Sequence, residues 1–405
     1  MSTVNPKLWI ETPLVESAAL SRAAGCRILL KLENLQPSGS FKSRGIGSLL
    51  SSSLKSRSSS NGAPVHFYSS SGGNAGLACA HAARTLSLPS TIIVPLSTPA
   101  SMIAKLKLAG AGEVIQHGAS WREADGYLQE QVLPKDKGGV YVPPFDHEDI
   151  WRGNSTLVSE LEGQIKEYST CNSSGNEAAN HGKPAAIICS VGGGGLFNGI
   201  CSGLDAIPGW KDVPIFALET AGAESLAASL SAGSLTTLPG ITSKATNLGA
   251  TRVAERTYVN ARDRKNVHSI VLSDAEAAMG CYRFADEERI LVELSCGVSL
   301  AMCWDGRLAK YFEEKIGRNL EKSDRVVMVV CGGSNISLET ILKYKVDYGL
   351  SDDGSLMKGK TVGEGITQLT GDVKGTAEKL GKDVGELSPE ELKIMSFVEG
   401  MMKKA

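Results

Sequence analysis

No run in this chain approaches the roughly 18 consecutive apolar residues that a membrane span needs. The first residues, MSTVNPKLWIETPL, carry neither the basic nor the apolar segment of a secretory signal. Charge of one sign is also missing: 42 Lys and Arg stand against 44 Asp and Glu, a formal net charge of -2. That balance leaves no electrostatic footprint for nucleic acid or an anionic membrane surface, so neither is expected as a partner. The nine cysteines show no CxxC and no paired spacing. An odd count without an export signal reads as reduced thiols, and a cytoplasmic protein is expected. No internal repeat is visible, and Asp146, His147, His81 and the other histidines show no metal-ligand spacing. What remains is a chain of 405 residues, long enough for a substantial core and usually divided into two domains.

What is present is an α/β alternation. Short β-branched or apolar runs recur as RILLKL, TIIVP, EVIQHG, AAIICSVGGGG, PIFALET and RVVMVVCGG, separated by helical stretches such as NAGLACAHAARTLSL. Apolar runs without polar alternation fit strands covered on both faces, as in parallel sheets. Two stretches rich in Ser, Asn and Gly, 51–64 and 169–184, lack an apolar period and read as surface loops.

Four stretches carry candidate chemistry. SGSFKSRGIG (38–47) sets Lys42 and Arg44 among glycines and hydroxyls just after an apolar run; Lys42 is either a solvated loop lysine or an imine-forming amine. In CSVGGGGLFNGI, Gly192, Gly193, Gly194 and Gly195 follow a strand and precede a helix. Without Cβ atoms such a loop can turn its N–H groups toward one point, which suits a phosphate. It is neither a P-loop nor a clear dinucleotide fingerprint; a tight turn is the structural alternative. In YSSSGGNAG, Ser70, Ser71, Gly72, Gly73 and Asn74 sit between a short strand and a helix, a setting for a carboxylate or for ordinary helix capping. VVMVVCGGSNIS ends a strand in Cys331, which either points into a site or is a small buried hydrophobe.

In chain order, with the lysine loop first, then the Ser70–Asn74 loop, the glycine loop and the strand-end thiol, the four stretches resemble the fold type II pyridoxal-phosphate enzymes, most nearly the catabolic L-serine/L-threonine dehydratases. The resemblance runs from TPL (12–14) through SNIS (334–337). It implies a two-domain α/β fold with parallel-rich twisted sheets flanked by helices: 1–45 and 151–345 forming a large cofactor-binding domain, and 46–150 a small domain with the substrate loop. Residues 346–405 form a tail, expected to end in a helix capped by Ser388, with Pro389 at its start and Leu392, Met395, Val398 and Met402 at helical spacing. About 60 residues are too few for the regulatory region of the biosynthetic enzymes, so a degradative role in amino-acid catabolism and gluconeogenesis is expected.

The resemblance also assigns residues. Lys42 would bind pyridoxal 5'-phosphate as a Schiff base and act as the base at Cα. Phe41 would pack near the ring, Asn74 would meet its hydroxyl, and Gly192 to Gly195 with Leu196 would hold the phosphate. Cys331 would face the pyridine nitrogen, leaving it less often protonated than a carboxylate would. Ser70, Ser71, Gly72 and Asn74 would hold the substrate. ALETAGAES and TNLGAT resemble a monovalent-cation site, for potassium, built from Glu219 and Ser225 with carbonyls of Gly192, Ala223, Leu248 and Ala250; a strand-end glutamate paired with a base is the alternative. A homodimer acting on a small amino acid is expected.

Serine racemase, cysteine synthase and threonine synthase are competitors within the resemblance. A racemase needs an acid/base on the face opposite Lys42, and the position where family racemases keep a serine is Gly72 here. Outside the family, a nucleotide-binding oxidoreductase would use the glycine loop and Glu219 but leaves Lys42 and Cys331 unexplained. A non-catalytic binding protein would tolerate loss of Lys42, which is present.

Overall fold

A computed structural model describes residues 7–57, 63–171 and 182–356. Ten strands form two sheets. They are β1 (Leu14–Ser17), β2 (Arg27–Lys31), β3 (His66–Ser69), β4 (Ser90–Val94), β5 (Glu113–Gln116), β6 (Gly139–Tyr141), β7 (Ala186–Ser190), β8 (Ile215–Thr220), β9 (Val267–Leu272) and β10 (Arg325–Val329). One sheet has the order β1-β2-β10-β7-β8-β9 and the other β5-β4-β3-β6. All pairings are parallel except β1 with β2, where Leu14 faces Lys31.

Strands β4, β7, β8 and β10 are buried at every position, which is why their sequences show no polar alternation. Four strands escape that signature. β5 is exposed or half-exposed throughout, and it is the one of them that the run EVIQHG still marks. β1, β6 and the edge strand β9 are partly exposed along their length, and none stands out as a continuous apolar run. Each sheet organises its own core: Ile28, Ile187, Phe216 and Val327 belong to one cluster, and Phe67, Ile92 and Val94 to another.

One expected loop is helical. The helix Lys42–Arg57 continues through SSSLKSR, because Leu49 and Leu50 are buried and Leu54 packs beside them. The serines turn their hydroxyls back on the helix, Ser53 Oγ donating to Leu49 O and Ser56 Oγ to Ser53 O. Arg57 anchors the far end on the carbonyls of Gly138 and Gly139 beside β6. Residues 58–62, most of 169–184 and the tail beyond 356, with its expected terminal helix, lie outside the described residues.

The helices Lys42–Arg57 and Glu148–Cys171 link the two sheets and cross at glycines. A Cβ on Gly45 would run into Ile150, and one on Gly153 into the backbone of Arg44 and the side chain of Ser48. This close crossing fixes the start of the first helix, and so the position of Lys42. In parallel sheets the carboxyl ends share an edge, which is where ligands of open α/β folds bind.

Candidate active site

The four stretches singled out in the sequence all leave the carboxyl ends of strands: β2 leads to Lys42, β3 to Ser70–Asn74, β7 to the glycine loop and β10 to Cys331. Backbone bonds staple two of them together. Asn34 N donates to Val330 O (3.0 Å), Phe41 N to Cys331 O (3.1 Å) and Gly333 N to Gly39 O (3.0 Å). The loop carrying Lys42 therefore lies against the loop carrying Cys331.

Lys42 is the first residue of its helix. Its Nζ donates to Pro144 O at 2.6 Å and lies 5.0 Å from the Phe41 ring centroid. Among the described residues no carboxylate pairs with it. Loss of solvent pushes the ammonium down to about 8, with Cys331 pulling weakly the other way. The positive end of the helix also disfavours charge there. An amine this poised is a base and a nucleophile near neutral pH.

Cys331 is buried, with its Sγ 3.4 Å from Ser190 Oγ at the end of β7. Hydrogen bonds from Cys296 and Ser190 hold the thiol below its ordinary value against the effect of burial. Burial pushes Cys26 and Cys79 up to about 12, so Cys331 stands apart from the inert buried thiols.

The glycine loop packs closely. A Cβ on Gly193 would run into the Phe145 ring, and one on Gly194, at φ 94°, into Thr257. The carbonyls of Gly193 and Gly194 accept from Ala254 N (3.0 Å) and Asn198 N (2.8 Å). The helix Gly195–Ala206 opens directly from the loop, and its first-turn N–H groups, from Gly195 and Leu196, have no partners within the helix.

In the loop after β3, the cap of the helix Asn74–Thr85 is Gly73, and no side chain caps it. Ser71 and Asn74 are thus not ordinary capping residues. Ser71 Oγ accepts from Gly73 N at 3.3 Å. Ser70 is fully buried and its hydroxyl donates to Asp125 at 2.5 Å, a bond shared with Tyr141 OH at 2.8 Å. Gly72 is close-packed too: a Cβ there would press on Val94 at 3.3 Å and touch Thr98 at 3.5 Å. Asn74 is committed on both ends, its Nδ2 donating to Glu293 at 3.2 and 3.3 Å and its Oδ1 accepting from Ser334 N at 3.1 Å.

The residues expected to hold a cation gather at the ends of β7 and β8. Val191 N donates to Leu218 O, which sets Gly192 beside Glu219, and Gly192 packs on Leu248. Ala250 N donates to Leu248 O at 2.7 Å, and Ala223 N to Thr220 O at 2.9 Å. Glu219 is fully buried, and its two oxygens accept from Leu226 N and Ala227 N at 2.8 Å each. Burial pushes its carboxyl up to about 8. Ser225 Oγ is buried without a hydrogen-bond partner among the described residues. Among those residues no three His, Cys, Asp or Glu side chains cluster as a metal site.

Sequence reasoning missed Glu293, Cys296, Ser190 and Asp125. The first two sit in RILVELSCGVSLAMCW, and the available signal was a lone acid inside a long apolar stretch.

A protein-family model described as "Pyridoxal-phosphate dependent enzyme" matches residues 7–332. A Bos taurus protein named L-serine dehydratase/L-threonine deaminase is 43% identical over 343 residues, 85% of this chain and 97% of the relative. The crystal structure of a fungal L-serine ammonia-lyase from Rhizomucor miehei superposes with a TM-score of 0.73 at 34% identity, covering 85% of this chain and 100% of that one. Maize serine racemase superposes with a TM-score of 0.67 at 26% identity, covering 83% and 91%. The backbone alone does not separate elimination from racemisation.

Proposed function

Because the chain belongs to the pyridoxal-phosphate dependent enzymes, we propose that Lys42 is the residue that binds the cofactor and moves the proton in the dehydration of serine and threonine. The enzyme is an L-serine/L-threonine ammonia-lyase: it converts L-serine to pyruvate and ammonia, and L-threonine to 2-oxobutyrate and ammonia. Pyridoxal phosphate, when bound, supplies an aldehyde for the substrate amine and a sink for the electrons freed at Cα. The residues present fit such a group. An unpaired amine, a glycine loop at a helix start and a hydrogen-bonded thiol all face one strand edge.

The chain's own residues divide the work. Phe41 packs under the Lys42 amine and gives the cofactor ring an apolar wall. Gly192 to Gly195 and Leu196 would hold the phosphate with backbone N–H groups. Asn74, whose amide serves Glu293 and Ser334, would still have a second N–H for the ring hydroxyl. Ser71 with the N–H groups around Gly72 would hold the substrate carboxylate, with Ser70 bracing the loop through Asp125. Lys42 Nζ would take the proton from Cα and return it to the β-hydroxyl, which leaves as water while the freed pair forms the Cα–Cβ double bond. The enamine released then hydrolyses to the keto acid and ammonia. Cys331 would face the pyridine nitrogen as a weak hydrogen-bonding partner, which would keep the sink modest, as elimination of a β-hydroxyl allows.

Glu219, Ser225 and the carbonyls of Gly192, Ala223, Leu248 and Ala250 form an oxygen-only set suited to potassium. The orphaned Ser225 hydroxyl and the buried Glu219 carboxylate support that reading. We assign 1–45 with 151–345 to the large cofactor-binding domain and 46–150 to the small one, a division in keeping with the two sheets. The enzyme works as a cytoplasmic homodimer in amino-acid catabolism that feeds gluconeogenesis, a setting in keeping with the eight described cysteines, all free thiols.

The observation that carries this reading is a desolvated lysine without an acid partner among the described residues. Elimination rather than racemisation follows from Gly72, which offers no hydroxyl to the face opposite Lys42. A keto-acid assay with L-serine, L-threonine and D-serine in parallel tests it: the L-substrates react and D-serine is poor. D-Serine formed from L-serine as fast as pyruvate would overturn the assignment.

A further inference from the structure

Glu293 lies where the parts of the site meet, and the chemistry above does not use it. It caps the helix Leu294–Leu300 and is 4% exposed. Among the described residues no cation pairs with it; it is held by donors alone. Oε1 accepts from Asn335 N at 2.8 Å and Asn74 Nδ2 at 3.3 Å. Oε2 accepts from Asn74 Nδ2 at 3.2 Å, from Ser295 Oγ at 3.2 Å and from Asn247 Nδ2. Gly333, at φ 133°, is pressed so closely on the carboxylate that a Cβ would run into it.

These donors come from separate pieces of chain. Asn74 starts the helix that follows β3 in the four-stranded sheet. Asn247 precedes Leu248, which packs on the glycine loop, and Asn335 follows Cys331 on the loop leaving β10. Asn74 Oδ1 also takes Ser334 N, and Lys105, in the helix Ala100–Ala109, donates to Ser334 O. A buried carboxylate without a counter-ion is costly unless fixed donors replace its water. Apart from Ser295, on its own helix, every donor it recruits belongs to, or adjoins, a segment of the candidate site.

We propose that Glu293 is a positioning residue for the dehydration, a clasp that holds Asn74, the 245–250 loop and the 332–336 loop in one arrangement beside Lys42 and Cys331. This rests on the dehydratase reading. Its loss loosens the substrate loop and the Cys331 loop together, although neither is its neighbour in sequence.

The test compares Glu293→Gln, Glu293→Ala and Asn247→Ala by hydrogen exchange of the cofactor-free protein and by kcat and KM for L-serine. In Glu293→Ala, exchange across 70–76 and 332–336 quickens by roughly tenfold or more. Turnover falls by more than KM rises. Glu293→Gln, which sets an amide N–H against donors, shows the same pattern, and Asn247→Ala a weaker one. Unchanged exchange in both segments would overturn the proposal. Should Glu293→Ala loosen the whole chain uniformly, Asn247→Ala decides: local quickening at both segments supports the clasp, and none overturns it. A wild-type protein that makes no keto acid would fail the dehydratase reading while leaving the exchange result to stand or fall alone.

Discussion

The two ends of one short segment treat charge in opposite ways. Behind the start of the helix Lys42–Arg57, Arg44 grips Glu33 through two bonds of 2.7 Å and Glu160 through bonds of 2.6 and 2.7 Å. Lys31 adds Glu160 at 2.7 Å, Thr12 O at 2.7 Å and Gln164 at 3.0 Å. Two cations meet two carboxylates in a nearly dry cluster. At the cleft, among the described residues, Lys42 has a carbonyl and no acid, while Glu293 has amides and no base. Burial lowers the pKa of both lysines, but only Lys31 has glutamates pulling it back. A neutralised cluster holds a helix in register; an unpaired amine can give and take a proton. Two residues apart in SFKSRG, Lys42 and Arg44 therefore do different jobs.

The sharpest way to break the comparison is to exchange those jobs. Lys42→Ala is expected to stay folded and to lose at least ~10³-fold in turnover, the scale of removing a base that also binds the cofactor; keto-acid release and thermal melting read the two effects separately. Arg44→Ala is expected to do the reverse. It strands Glu33 and Glu160 without their bidentate partner, a loss of roughly 3–5 kcal/mol, seen as a lower urea midpoint with turnover per folded molecule largely kept. A melt that falls equally in both variants would erase the distinction.

A third effect is graded by pH. The Lys42 ammonium gives up its proton at about 8, and only the free amine attacks an aldehyde. Uptake of the cofactor by stripped protein is therefore expected to quicken by about tenfold per unit as pH rises toward 8, then level off. A profile still rising to pH 10 would mean an unperturbed lysine. The smallest effect belongs to Cys331→Ala. On the proposed role, in which the thiol tunes the ring and forms no bond to substrate, turnover is expected to fall only several-fold with the cofactor retained; a trapped substrate adduct on Cys331 would contradict this.

Much of this was legible in the sequence, for reasons that also explain the gaps. RILLKL, TIIVP, EVIQHG, AAIIC, PIFALET and RVVMVV became strands; most are covered on both faces, so apolar runs report them directly. β1, β6 and β9 are short or half-exposed and leave no such trace. The serine-rich stretch 51–57 folded as helix because tertiary packing of Leu49, Leu50 and Leu54 outweighs weak propensity. In the site, the glycines and Lys42 announce themselves by composition. Glu293 does not, since its role comes from donors distant in sequence, and neither does Arg44, whose partners Glu33 and Glu160 come together only in the fold.

On the proposed chemistry the unpaired amine at Lys42, and no other lysine, carries the cofactor. Borohydride reduction of the loaded enzyme, followed by digestion and mass spectrometry, tests it most directly, because reduction converts an imine into a stable secondary amine on the residue that formed it. The account predicts a single pyridoxyl adduct, on the peptide containing Lys42. An adduct on Lys31, Lys105 or any other lysine, with Lys42 unmodified, would contradict it.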